Sequence, residues 1–194
     1  MFWCSRGKLI HGLVLLFGLP SVEAPAQAVQ NFILTDVRTG KSVSLNDFNR
    51  YPAIVLIFTS NTCAFDRHYR KRILDMILTY ENRVPFLLIN SYTKPDETVE
   101  KMKALAAESD FSVPYLADKK QEVMQSLGVR KSPECVVLQP SSGGFRIVYR
   151  GAIDDNPQMA EAVLHFYLRD AIEQVLNNQT VTVRERVPVG CAIH

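Results

Sequence analysis

Six consecutive apolar residues at positions 53–58, Ala-Ile-Val-Leu-Ile-Phe, constrain this chain more than any other stretch. A run that is apolar at every position, rather than at alternate ones, buries both faces and predicts a central strand with a layer on either side. Thr59, Ser60, Asn61 and Thr62 follow, several of them able to cap a helix, and then a basic amphipathic segment begins. The strand is therefore expected to feed a helix with Cys63 in its first turn. A thiol there meets unpaired N–H groups and the positive end of the helix dipole, both of which favour thiolate. Arg67 and Arg70 can share its face, whereas Asp66 works against them.

Tyr69, Ile73, Met76, Ile77 and Tyr80 recur at helical spacing, so this helix should run to about Glu81 and lead into a second buried strand at 86–90. Two such strands joined through a long helix are most simply parallel. Upstream, residues 31–36 and 42–45 read as a hairpin, and 46–48 as a helical turn. Downstream, Pro95, Asp96 and Glu97 open a helix carrying Val99, Met102, Leu105 and Ala106. Residues 114–117 are extended, and 119–127 form a helix closed by Gly128. Residues 135–138 make another buried strand, returning through a turn at 141–144 to an antiparallel partner at 145–149. Asp154, Asp155 and Asn156 are expected to cap the last helix, with Pro157 at its first position and Val163, Phe166, Tyr167, Ala171, Val175 and Leu176 as its apolar stripe. The class is α/β, with a central mixed sheet flanked by helices.

A chain of 194 residues that is 47% hydrophobic and 22% charged is long enough for one sizeable core. Its net charge of +2 gives no support to a nucleic-acid partner. Residues 1–28 carry Arg6 and Lys8, then a short apolar stretch, then small residues, which is the pattern of a secretory signal. The expected division is a signal at 1–28, a domain at 29–179 and a C-terminal tail at 180–194. The protein should be exported, periplasmic or extracellular, and held at a membrane only if the signal is retained. Cys4 then leaves with the signal, and Cys63, Cys135 and Cys191 remain, an odd number. Cys135 lies in an apolar strand, where cysteine behaves as a small hydrophobe. The histidines His68, His165 and His194 are scattered, so neither a metal nor another cofactor is expected.

The segments FTSNTCAFDRHYRKRI, Ser132-Pro133-Glu134, YRGAIDDN and the terminal PVGCAI, spread over nearly the whole mature chain, resemble the redoxin branch of the thioredoxin fold. That branch groups alkyl hydroperoxide reductase-like and exported thioredoxin-like proteins. The resemblance implies a thioredoxin-like fold, with Pro133 cis and lying against Cys63. It also implies a thiol-based redox function acting through Cys63, either thiol-disulfide exchange or thiol peroxidase chemistry, on a thiol, disulfide or peroxide partner. Thr59, Arg67, Ser132 and Pro133 become the candidate substrate-binding residues. Two departures matter. Where many relatives carry a second cysteine three residues on, this chain has Asp66, and the proline of the peroxiredoxin arrangement is missing although Thr59 stands in the threonine-like place. The alternative is a redox-inactive binding module using the same groove.

With Asp66 unable to resolve a mixed disulfide, Cys191 is the candidate resolving thiol. It is otherwise a tail-fastening, free or intermolecular cysteine. Reach does not limit it, because an extended tail spans roughly 45 Å and loop-closure entropy grows only logarithmically. Mild oxidation is therefore expected to join Cys63 to Cys191 more readily than to Cys135.

Overall fold

The computed structural model describes residues 28–194 together with Met1, so the signal reading falls outside the described residues except at its two ends. The apolar run forms β3 (Ile54–Phe58), every residue of which is buried. Helix α1 (Ala64–Thr79) returns the chain to β4 (Phe86–Asn90), which lies parallel to β3 with Val55 opposite Phe86. The hairpin β1 (Ile33–Asp36) and β2 (Ser42–Ser44), the short β5 (Tyr115–Ala117) and the long hairpin β7 (Glu134–Ser141) and β8 (Gly144–Gly151) complete most of the sheet. With β9 (Glu185–Arg186) at its edge, the sheet runs β2-β1-β5-β4-β3-β7-β8-β9, mixed in direction.

Alternate residues of β3 serve opposite layers. Val55 and Ile57 pack with Tyr69, Ile73 and Ile77 of α1, Met102 and Ala106 of α2 (Val99–Ala107), and Leu168, Ile172 and Val175 of α4 (Tyr167–Leu176). Ile54, Leu56 and Phe58 face Leu45, Val123 and Leu127, around α3 (Glu122–Ser126). Burying each large side chain in this way stabilises the fold by about 1.5–3 kcal/mol. Cys135 lies in the first layer, fully buried, and its thiol donates to the Gly151 carbonyl at 3.1 Å. Burial pushes that thiol well above its ordinary pKa. Cys135→Ala should cost roughly 1–2 kcal/mol and leave alkylation of reduced Cys63 unchanged. Labelling of native Cys135 as fast as of Cys63 would contradict this.

Three local expectations are corrected. The last helix begins at Tyr167, with Phe166 as its N-cap, not at Pro157. Asp154 does not cap it: its carboxylate is buried, accepts the Tyr69 hydroxyl at 2.8 Å and pairs with Arg72 at 2.6 Å. Asp155 instead closes the following loop, accepting the N–H groups of Leu164 and His165. Arg72, which the charge pattern places on a solvated face, lies over the Tyr69 ring at 4.0 Å. A buried carboxylate demands a cation, and that demand outweighs local capping. Finally, Pro95–Glu97 is a separate 3-10 turn; α2 starts afresh with Thr98 as its N-cap, the Thr98 hydroxyl accepting the Lys101 N–H. Glu97 is drawn inward, for the reason given next.

Candidate active site

The loop between β3 and α1 is built on one carboxylate. Glu97 is fully buried and accepts the Ser60 hydroxyl at 2.5 Å, the Asn61 N–H at 2.9 Å, the Thr62 hydroxyl at 2.8 Å and the Asn90 amide at 2.8 Å. Burial by itself would raise its pKa. The hydrogen bonds from Ser60, Asn61, Asn90 and Thr62 outweigh that, and the carboxyl stays below its usual range as an anion. Ser60 in turn accepts the Cys63 N–H at 3.0 Å. Cys63 is thus the N-cap of α1, one step before the first turn, in an extended conformation. Around this core, Tyr115 donates to Asn61 at 2.8 Å, and the Lys119 ammonium donates to Asn90 at 2.7 Å and to the Tyr92 carbonyl at 2.9 Å. Desolvation lowers the Lys119 pKa to about 8, against the pull of Glu97 and Asp118.

Opposite the loop stands the segment 130–134. Glu134 accepts the N–H groups of Arg130 and Lys131, which folds the chain back before the cis Ser132-Pro133 peptide. Ser132 is fully buried, and its carbonyl oxygen lies 3.5 Å from Cys63 Sγ. Here the tail arrives. Strand β10 (Cys191–Ala192) pairs antiparallel with β6 (Lys131–Ser132), Cys191 opposite Ser132, and Cys191 is joined to Cys63 by a disulfide with Cα atoms 6.0 Å apart. The Tyr92 hydroxyl donates to the Cys191 carbonyl at 2.9 Å and lies 2.7 Å from the Ser132 hydroxyl.

The candidate residues therefore fall into two groups. Cys63, Cys191 and Ser132 meet at one point, with Pro133 following Ser132 across the cis peptide. Thr59 and Arg67 line a neighbouring cavity of about 140 Å³ between α1 and α2, with Asp66, Arg38, Arg70 and Phe111. The Thr59 hydroxyl is committed to Asp66, donating to it at 2.6 Å, and the exposed Arg67 donates to the Thr62 carbonyl at 3.2 Å. Asp66 is buried, and its second oxygen has no hydrogen-bond partner among the described residues. Burial, aided by the charge of Glu97, raises it to about 7, although Thr59, Ser132 and the Ser60 backbone pull it back. Sequence reasoning missed Glu97, Asn90 and Tyr92. The one available signal is a polar residue, Asn90, ending an otherwise apolar strand.

A cysteine at a strand-to-helix junction, facing a cis-proline segment on a mixed sheet of this order, defines a thioredoxin-fold redoxin. The AhpC/TSA family pattern matches residues 25–153, and the chain belongs to that family. No curated protein sequence matches it. Among solved structures, an uncharacterized conserved protein from Geobacillus kaustophilus is similar at a TM-score of 0.78 and 29% identity, covering 91% of this chain and 97% of that one. A hypothetical protein from Sinorhizobium meliloti is similar at 0.77 and 27%, covering 89% and 95%. The exposed lipoprotein thioredoxin of Streptococcus pneumoniae shares the fold at 0.57 and 20%, covering 76% and 98%.

Proposed function

We propose that this protein is an exported thiol-disulfide oxidoreductase in which Cys63 is the attacking thiolate and Cys191 the resolving thiol. The observation that carries the reading is the Cys63–Cys191 disulfide, seated at the N-terminus of α1 and against Ser132 and Pro133. In the reduced protein, the Cys63 thiolate attacks a partner disulfide. A Cys63–partner disulfide forms, and the partner's other sulfur leaves as thiolate and takes a proton from water. The Cys191 thiolate then attacks Cys63 Sγ, expelling the partner's first sulfur and closing the internal disulfide. Two electrons pass to the partner, and a thiol reductant restores the dithiol. Ser132 and Pro133 form the docking edge, and Arg67 contributes positive charge at the start of α1.

Peroxide chemistry fits less well, because the Thr59 hydroxyl is spent on Asp66. The competing reading is a binding module in which the disulfide only clamps the tail. Alkylation of the reduced protein across pH separates the two. The redox reading expects Cys63 to react with a midpoint below the ordinary thiol value of about 8.5. An ordinary midpoint, or an unreactive Cys63, would leave the clamp. Export of this chain is supported by the leader pattern at 1–28 and by a disulfide between described residues.

A further inference from the structure

The tail is held to the docking edge almost entirely through backbone groups. Besides the β10–β6 pairing, the Ile193 N–H donates to the Arg130 carbonyl at 3.0 Å, and Thr93 donates to the His194 carbonyl through its N–H and its hydroxyl. Lys131 donates to the Pro188 carbonyl at 3.2 Å. Side chains are covered at only two places: Val187, Val189 and Ala192 are exposed, while Pro188 is buried and Ile193 packs against the core. Such a seat accepts many sequences. One position is different. A Cβ at Gly190 would meet the Ser132 carbonyl oxygen and carbon and lie 3.3 Å from the Pro133 nitrogen, all rigid backbone. Anything larger than hydrogen just before the cysteine must push the strand off its partner.

We infer that the tail is a built-in copy of the substrate: the partner presents an extended segment with glycine immediately before its reactive cysteine and an aliphatic residue two positions after it. This segment takes the place of Pro188–His194 on the Lys131–Ser132 edge. The inference rests on the oxidoreductase reading of Cys63. It also sets the order of the resolving step: the bonded segment leaves the edge while its sulfur is still joined to Cys63, Cys191 attacks Cys63 Sγ from the side opposite that sulfur, and the tail re-docks as the partner thiolate departs. The glycine requirement is a filter on partners, built from the backbone of the docking edge.

The test uses the full mature chain carrying Cys191→Ser, whose Cys63 is free, and a peptide of residues 187–194 activated as the mixed disulfide with nitrothiobenzoate. Attack of Cys63 on the peptide sulfur releases coloured nitrothiobenzoate thiolate and leaves the peptide bonded to Cys63. This peptide should react at least about ten-fold faster than the same peptide with alanine for glycine. The double variant Gly190→Ala with Cys191→Ser should react with the glycine peptide faster still, because its own tail no longer seats. Equal rates for the two peptides, with 2-hydroxyethyl disulfide still consumed, would overturn the inference and leave the oxidoreductase reading standing. Failure to react with either peptide or with 2-hydroxyethyl disulfide would overturn both. The peptide comparison does not depend on the double variant folding.

Discussion

Replacing Cys191 with serine should leave the first half of the exchange intact and stop the second. Cys63 keeps its place at the head of α1, because Ser60, Glu97 and the Ser132 carbonyl hold it independently of the tail. It still attacks, and each chain accumulates as a Cys63–partner mixed disulfide. Asp66 stands where a second thiol of the helix would be, and Cys135 is sealed in the core, so no other cysteine of the described residues takes over. Multiple-turnover disulfide reduction should therefore fall by more than about a hundred-fold, a barrier increase of roughly 3 kcal/mol. Cys63→Ser should abolish both halves. Mass spectrometry of the trapped adduct reads the first step, and steady-state turnover reads the second. Full turnover in the Cys191→Ser variant would remove the tail from the mechanism.

The same bond should dominate stability. Its cysteines are 128 residues apart, so it closes most of the described chain into a loop of the unfolded state. A loop of that length restricts the unfolded chain by an amount worth about 5 kcal/mol in the entropic account. Urea unfolding with and without reductant measures it. A reduced protein as stable as the oxidised one would mean that the tail's anchoring adds nothing beyond its strand contacts.

What the sequence revealed and what it concealed divides along separation in the chain. The strand at 54–58, the helix behind Cys63, the parallel return at 86–90 and the hairpin at 134–151 are local patterns, set by apolar runs, helical spacing and turn residues. The cis Ser132-Pro133 peptide was open only to family resemblance. Local chemistry misled where a distant partner outbid it. Asp154, Asp155 and Asn156 spell a helix cap, yet Asp154 answers to Tyr69 and Arg72, over 80 residues earlier in the chain. The loop that presents Cys63 depends on Glu97, more than 30 residues beyond it, a pairing that no periodicity encodes. The tail's pairing with Lys131 and Ser132 was likewise invisible, because a two-residue strand leaves no repeat to read.

Asp66 carries the second large effect, a dependence of stability on pH. Its carboxyl lies at about 7 in the folded protein, first because it is buried and further because of the Glu97 charge, against 3.8 when exposed. A raised folded value means that the folded state grips the proton. The corresponding stability is fully present below the unfolded pKa and is lost as pH rises through the folded one, so stability should decline between about pH 4 and pH 7. The decline should total several kcal/mol, on the order of 4 at most. Asp66→Asn keeps the shape without the titration. It should flatten the slope and make the variant more stable than the parent at pH 8. Urea midpoints at pH 5 and pH 8 decide the matter, and parallel slopes for parent and variant would sink it. The same titration bears on Cys63. Above about pH 7 Asp66 is an anion one helical turn from the sulfur, opposing the thiolate as its position in the sequence suggests. Below that pH it is neutral and the opposition falls away, so Asp66→Asn should also make Cys63 alkylate faster at pH 8, and equal rates there would show that its charge does not reach the sulfur.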